Sequence, residues 1–92
     1  MNKKLPENVR TKFDAIIDVR TKEEFEESHI EDAVNIDIYS PSFEGAITDL
    51  DKTKSYLIYC TSGGRSLQAT MFMRKNGFAN VENLGGGISS LE

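Results

Sequence analysis

The stretch YCTSGGRS, residues 59–66, combines side chains that are suited to nucleophilic chemistry. It contains the only cysteine of the chain, Cys60, together with two glycines, one arginine and four hydroxyl side chains. The reactive form of a cysteine is its thiolate, which forms more readily beside positive charge or hydrogen-bond donors. Gly63 and Gly64 permit backbone conformations in which successive N–H groups converge, and Arg65 adds a full positive charge. We therefore predict that this stretch forms a cradle around a reactive Cys60.

An unreactive role is the main alternative for Cys60, because free cysteines are often small buried hydrophobic residues. Its position between an apolar run and a glycine-rich turn favours the catalytic interpretation. The only histidine, His29, lies in another segment of the sequence. One histidine without neighbouring ligands makes a poor metal site, so we interpret His29 as structural and expect no bound metal.

The elements that would hold this stretch alternate between short apolar runs and amphipathic segments. We predict strands at residues 14–19, 33–36, 55–59 and about 81–84. We predict helices at residues 22–28 and 65–76, and a loop with one helical turn near residues 44–50 in the stretch 39–54. Strands that are separated by helices need crossover connections. The predicted fold class is therefore α/β, with a small, open, mainly parallel sheet flanked by helices.

Local signals mark the ends of the predicted helices. Thr21 and Glu24 have the spacing of a capping box, in which each side chain binds the backbone of the other residue. Gly77 stands where the second helix needs a left-handed residue at its end. We interpret the acidic side chains of the first helix as a solvated face; they are Glu23, Glu24, Glu26 and Glu27.

The predicted elements place residues 59–66 at the turn between a buried strand and the start of a helix. Ligands of open α/β sheets bind at the carboxyl ends of the strands, which is this edge. The helix N-terminus adds partial positive charge that favours a thiolate. Arg65 could be a solvated residue at the start of the helix. An arginine at that end is electrostatically unfavourable without an anion, so we favour a functional role for Arg65.

Composition limits the classes of function that the chain can have. Its 92 residues, with 38% hydrophobic and 28% charged side chains, predict one globular domain over residues 1–92. The net charge of −4 argues against nucleic acid or an anionic membrane as the partner. The sequence shows neither a long apolar span nor a signal peptide, and a single cysteine fits a reducing compartment. We expect a cytoplasmic protein.

The order and spacing of several motifs give a resemblance that no single motif would carry. The motifs are IIDVR (16–20), EEFEESHIEDAVNI (23–36), YLIYCTSGGRS (56–66), KNGF (75–78) and VENLGGGI (81–88). In this order they resemble a single rhodanese domain, the sulfurtransferase module that forms a persulfide. The resemblance extends over residues 15–89.

The resemblance implies roles for individual residues. It assigns the persulfide to Cys60 and surrounds it with a binding loop, which consists of Thr61, Ser62, Gly63, Gly64, Arg65 and Ser66. It places Asp18 and Arg20 beside the site, with Asp18 as a support for the loop. For Arg20 it leaves two roles open, guidance of an anionic donor or pairing with an acidic neighbour.

The resemblance also implies the reactants. The donor would be thiosulfate, glutathione persulfide or a similar small molecule, the acceptor a thiol or a protein, and no cofactor would be needed. The position after the cysteine is often basic in members that use thiosulfate well. Here it is Thr61, so we expect thiosulfate to be a poor donor.

Two departures from the family pattern concern structure. Only the thirteen residues 1–13 precede Asp14, so we treat them as an N-terminal extension and expect the first edge strand to be missing or reduced. The segment 28–33, SHIEDA, lacks three turn-forming residues that the family usually has there.

Two other functions stay open at this stage. A cysteine and an arginine in one loop also serve phosphatases and arsenate reductases, but these use C-x5-R, whereas Cys60 and Arg65 have the spacing C-x4-R. The shorter loop favours a single added sulfur over a tetrahedral phosphate, which needs donors for three oxygens. A non-catalytic rhodanese-like binding module is the other alternative.

Overall fold

The computed structural model describes residues 2–91, so Met1 and Glu92, the ends of the predicted domain, lie outside the described residues. Four strands form one sheet: β1 (Ala15–Asp18), β2 (Val34–Asn35), β3 (Ser55–Tyr59) and β4 (Asn80–Asn83). Their order is β2-β1-β3-β4, and every neighbouring pair is parallel. This arrangement confirms the predicted open, parallel α/β sheet.

The helices lie near their predicted positions. They are α1 (Glu7–Arg10), α2 (Lys22–Glu27), α3 (Phe43–Thr48) and α4 (Gly64–Lys75), followed by a 3-10 helix at Ile88–Leu91. The capping box of α2 is confirmed, because the Glu24 N–H donates to the Thr21 hydroxyl and the Glu24 carboxylate accepts from the Thr21 N–H. Gly77 has a positive φ of 91° after α4, as predicted. The sequence patterns did not predict α1 or the 3-10 helix.

The sheet separates two hydrophobic cores, because alternate side chains of each strand point to opposite faces. On one face, Ile58 and Cys60 pack with Phe43 and Ile47 of α3 and with Met73 of α4. On the other face the core consists of Phe13, Ile16, Ile30, Leu57, Tyr59 and Ile88. The Cys60 side chain therefore lies on the face that α4 covers.

The residues before β1 cover the second face of the sheet. Phe13 is buried in the second core, and Leu5 and Val9 pack against it. Lys3 forms an isolated parallel bridge with Ile30. Within residues 2–91 no strand precedes β1, which agrees with the expectation that the first edge strand is missing or reduced.

The segment 28–33 turns without the glycine and proline residues that the family usually has there. Asp32 has a φ of 72° and is the non-glycine residue with a positive φ in the described range. Asp tolerates this left-handed conformation better than most residues. Within residues 2–91, no helix has the length and apolar character needed to cross a membrane.

Candidate active site

The candidate nucleophile lies at the carboxyl edge of the two central strands. Tyr59 ends β3 and is the register partner of Asp18, which ends β1. Cys60 follows directly, and α4 begins four residues later at Gly64. Parallel strands bring these ends together, so the loop, the start of α4 and the end of β1 meet as predicted.

Hydrogen-bond donors surround the sulfur of Cys60. The Gly63 N–H donates to Sγ at 3.1 Å, the Ser66 N–H at 3.4 Å and the Ser66 hydroxyl at 3.3 Å. The sulfur belongs to a residue that is only 1% exposed, and Ser66 is fully buried. The sulfur of Cys60 thus accepts hydrogen bonds from two N–H groups and one O–H group.

These donors determine the acidity of Cys60. Burial alone raises the pKa of the thiol, because it penalises the charged form. The hydrogen bonds from the Ser66 hydroxyl and from the N–H groups of Ser66, Gly63 and Ser62 outweigh burial, so the pKa lies below its usual value. The start of α4 adds the partial positive charge of a helix N-terminus. The site therefore favours a thiolate.

Gly63 gives the loop its shape, whereas Gly64 does not. Gly63 has a φ of 111°, a conformation that side-chain-bearing residues rarely adopt, and it directs its N–H to the sulfur. Gly64 is the first residue of α4, and a Cβ atom built on it would meet nothing within 4 Å. The special backbone conformation that the sequence analysis considered for both glycines is therefore adopted by Gly63 and not by Gly64.

Arg65 is bound by a carboxylate of the protein itself. Its two terminal nitrogens donate to the two oxygens of Glu24 at 2.8 and 3.0 Å, and Thr61 donates to Glu24 at 3.2 Å. The anion beside Arg65 in this structure is thus Glu24, and a functional role for Arg65 stays a prediction. The interpretation of Glu24 as part of a solvated face is wrong, although Glu23, Glu26 and Glu27 are exposed as predicted.

This ion pair fixes the charge states of both groups. The hydrogen bonds from Arg65 hold the pKa of Glu24 at about 2, far below its usual value. The hydrogen bonds to Glu24 raise the pKa of Arg65 further above its usual value, and the nearby Cys60 thiolate also contributes. Glu24 links the capping box of α2 to the loop, so α2 helps to position Arg65.

Arg20 lies behind the loop and pairs with Asp18. Its guanidinium donates to both Asp18 oxygens, the closest at 2.8 Å, and to the Ser28 carbonyl at 2.7 Å. Arg20 is 5% exposed, and its charged group lies 5.7 Å from the centre of the Tyr59 ring. Burial lowers the pKa of Arg20, but the hydrogen bonds to Asp18 and the charge of its carboxylate, with smaller contributions from Tyr59, together outweigh burial and raise the pKa. Pairing with an acidic neighbour is the role that this geometry supports.

The hydrogen bonds of Asp18 differ from those that a support for the loop would make. Its carboxylate accepts from the Arg20 backbone and side chain, and none of its hydrogen bonds in the described structure goes to residues 61–66. Tyr59 is also fully buried, in the second core, and its hydroxyl oxygen accepts a hydrogen bond from the Ile30 N–H at 3.0 Å. Burial raises the pKa of Tyr59, so it is a neutral phenol at physiological pH.

The turn after β4 holds the loop from outside. The Ile88 N–H donates to the Cys60 carbonyl at 2.9 Å, and the Ser89 N–H donates to the Thr61 carbonyl at 3.1 Å. Gly87 lies so close that a Cβ atom there would overlap both carbonyl oxygens. Sequence reasoning used the Gly85–Gly87 run only to end a strand; its three consecutive glycines were the available signal for a close backbone approach.

His29 packs against α2, and the part of the chain that the structure describes offers no cluster of potential metal ligands. The His29 ring stacks on Phe25 with the centroids 3.8 Å apart, and Nδ1 lies 2.8 Å from the Phe25 carbonyl. Residues 2–91 contain no group of three or more His, Cys, Asp or Glu side chains that could hold a metal ion.

Comparison with known proteins gives one consistent family. The sequence profile described as Rhodanese-like domain matches residues 1–92. The chain is 34% identical to thiosulfate sulfurtransferase PspE of Escherichia coli (strain K12), a match that covers 76% of this chain and 67% of PspE. It is also 34% identical to the mitochondrial protein HIGH ARSENIC CONTENT 1 of Arabidopsis thaliana, with 80% of this chain and 50% of that protein covered. The chain thus spans only half of the Arabidopsis relative.

A solved structure supports the same fold. The crystal structure of a rhodanese-related protein from Thermoplasma volcanium superimposes with a TM-score of 0.79 and is 28% identical. The superposition covers 91% of this chain and 81% of that protein. The sheet and the helices described above are therefore those of a known domain type.

Proposed function

The chain belongs to the rhodanese-like domain family, and we propose that it is a sulfurtransferase in which Cys60 carries sulfane sulfur as a persulfide. The donor is a small molecule with a transferable outer sulfur, and the acceptor is a thiol or a protein cysteine. The observation that carries the proposal is the set of N–H and O–H donors on Sγ from Gly63 and Ser66. These donors stabilise the thiolate before the reaction and the anionic persulfide after it.

Transfer proceeds in two half-reactions. The Cys60 thiolate attacks the outer sulfur of the donor and forms a new S–S bond, while the old bond to that sulfur breaks. Sulfite leaves when the donor is thiosulfate, and a thiolate leaves when the donor is a persulfide. The acceptor thiolate then attacks the outer sulfur and releases the Cys60 thiolate. Two half-reactions with a covalent intermediate give ping-pong kinetics.

Contacts of Arg65 argue against phosphate or arsenate as the substrate. Phosphoryl transfer benefits from an arginine that binds the equatorial oxygens, but Glu24 occupies both terminal nitrogens of Arg65. Cleavage of a phosphate ester also benefits from a general acid. Glu24 has a pKa of about 2 and is ionised at neutral pH, so it cannot supply the proton. The name of the Arabidopsis relative refers to arsenic, which makes arsenate a useful control compound.

Intact mass spectrometry tests the proposal directly. We expect incubation with cysteine persulfide or thiosulfate to add the mass of one sulfur atom, located on Cys60 by peptide mapping. The Cys60→Ser variant should keep its fold but gain no sulfur, because a serine alkoxide does not form at neutral pH. A thiol acceptor should return the loaded protein to its original mass.

The same preparation distinguishes the alternatives. Release of phosphate from an aryl phosphate, or reduction of arsenate, that depends on Cys60 without any sulfur-loaded form would replace our proposal with oxyanion chemistry. Absence of both reactions with every donor would indicate a non-catalytic binding module.

A further inference from the structure

Asn83, the last residue of β4, contacts the active-site loop through its side chain. Its amide nitrogen Nδ2 donates to the Gly63 carbonyl at 3.2 Å. Gly63 is the residue whose N–H donates to the sulfur of Cys60, and its carbonyl lies just before the first residue of α4. The end of β4 therefore holds the same residue that directs a hydrogen bond to the nucleophile.

The Gly63 carbonyl has three donors within hydrogen-bond distance. The Leu67 N–H lies at 3.0 Å and makes the first backbone hydrogen bond of α4. The Asn83 amide and the Ser66 hydroxyl both lie at 3.2 Å. A carbonyl oxygen has two lone pairs, so two of these three donors are enough to satisfy it.

The Ser66 hydroxyl has one proton and two acceptors. Its Oγ lies 3.3 Å from the sulfur of Cys60 and 3.2 Å from the Gly63 carbonyl oxygen. A hydroxyl group donates its single proton to one acceptor at a time. Whenever Ser66 donates to the carbonyl, the sulfur loses one of the donors that stabilise its thiolate. The sulfur and the carbonyl thus compete for the same proton.

We propose that Asn83 is a positioning residue that decides this competition in favour of the sulfur. Together with the Leu67 N–H, the Asn83 amide satisfies the Gly63 carbonyl, and the Ser66 proton stays with Cys60. This inference rests on the proposed sulfurtransferase function and concerns how the nucleophile is kept ready for the donor. Asn83 acts through Ser66, because its own hydrogen bond goes to Gly63 and not to the sulfur.

The other amide atom of Asn83 supports this role. Oδ1 is buried and has no hydrogen-bond partner within residues 2–91. A buried polar atom without a partner lowers stability, and a leucine of nearly the same shape would avoid that loss. Turning the amide over would place Oδ1 against the Gly63 carbonyl oxygen and remove the hydrogen bond. What the amide contributes at this position is therefore its one donor to the loop.

A double-mutant cycle with Asn83→Leu, Ser66→Ala and the double variant tests the proposal. The ultraviolet absorbance of the thiolate against pH gives the midpoint for Cys60, the only cysteine, without any sulfur donor. We expect Asn83→Leu to raise this midpoint and to slow sulfur loading at neutral pH about threefold, because Ser66 then donates to the carbonyl for part of the time. The double variant should have the midpoint of Ser66→Ala, since no hydroxyl proton is left to redirect.

Asn80→Leu is the matched control, because Asn80 begins the same strand, is exposed and makes no side-chain hydrogen bond within the described range 2–91. Its midpoint should equal that of the wild type. The same cycle with Asn83→Ala covers the case in which leucine disturbs the fold at this position.

A midpoint that does not rise in either Asn83 variant would overturn the positioning role. So would effects of Asn83 and Ser66 that add in the double variant, because Asn83 would then act without Ser66. Failure of the wild type to load sulfur from any donor would overturn the sulfurtransferase function instead, and the absorbance cycle would still decide the role of Asn83.

Discussion

At the scale of single residues, the hydroxyl group of Ser66 is a direct donor to the sulfur of Cys60. Its Oγ lies 3.3 Å from Sγ, and the residue is fully buried, so no water replaces it. We predict that Ser66→Ala raises the pKa of Cys60 and moves the pH profile of sulfur loading to higher pH. At neutral pH the loading rate should fall about fivefold, the effect of one hydrogen bond, and recover at high pH.

The measurement is the initial rate of loading from one persulfide donor between pH 5 and 10. Ser62→Ala makes the same chemical change at an exposed side chain of the loop and should keep the wild-type midpoint. An unchanged midpoint in Ser66→Ala would show that the backbone N–H groups alone determine the acidity of Cys60.

Glu24 controls how much positive charge the loop presents to a donor. Glu24→Gln keeps the capping box, since glutamine serves at that position, but it removes the charge that neutralises Arg65. We predict a KM for thiosulfate about tenfold lower, because the guanidinium becomes available to the sulfonate end. Steady-state kinetics with thiosulfate and with cysteine persulfide give the comparison, and a lower KM for both donors alike would contradict a charge effect.

At the scale of elements, the turn after β4 supports the loop after β3 through backbone contact. A Cβ atom on Gly87 would overlap the carbonyl oxygens of Cys60 and Thr61, and its φ of 60° also favours glycine. We predict that Gly87→Ala lowers the free energy of unfolding by about 3 kcal/mol and impairs loading. Gly64→Ala should change it by no more than about 1 kcal/mol, because α4 has room there.

Urea unfolding of both variants measures these changes. If Gly87→Ala were as stable as Gly64→Ala, the turn after β4 would not hold the loop closely.

Sequence patterns predicted the sheet well because buried strands have strong local signals. Ile16 and Ile17 are apolar and β-branched, residues 56–59 are aliphatic or aromatic, and each run lies in a central strand. The loop around Cys60 was found because glycine and cysteine have distinctive chemistry. The parts that were not predicted, α1 and the 3-10 helix, are short and are held by the packing of Val9 and Ile88 in the second core.

The ion pair between Glu24 and Arg65 shows a second limit. Its residues are 41 positions apart, and the capping-box spacing that distinguishes Glu24 from its acidic neighbours does not indicate a contact with Arg65. Nothing in a helix pattern tells which of four acidic side chains points to a loop from another part of the chain. The partner of Glu24 depends on how α2 packs against the sheet, and local sequence patterns do not determine that packing.

At the scale of the whole molecule, this ion pair makes stability depend on pH. Glu24 has a folded-state pKa of about 2 and an ordinary value of 4.5. The stabilisation is fully present above pH 4.5 and is lost as the pH falls toward 2, because the unfolded chain takes up the proton first. We predict a loss below about 1 kcal/mol, since the pair is partly exposed and screened by solvent.

Urea unfolding at pH 6 and pH 2.5 gives the size of this loss. Glu24→Gln should show a smaller decrease between the two pH values than the wild type, and Glu23→Gln should follow the wild type. Equal decreases in all three proteins would assign the acid sensitivity to other carboxylates.

The all-parallel sheet has a consequence for how the chain folds. None of its strand pairs can begin from a hairpin, and the central pair β1 and β3 joins residues about 40 positions apart, so chain closure must come first. Folding is expected to be slow for a chain of this length, on the order of milliseconds to seconds.

Until β4 and the residues after it dock, the carbonyls of Cys60 and Thr61 lack the hydrogen bonds from Ile88 and Ser89, and the thiol is open to oxidants. The proposed nucleophile is thus most vulnerable to oxidation while the chain is still folding.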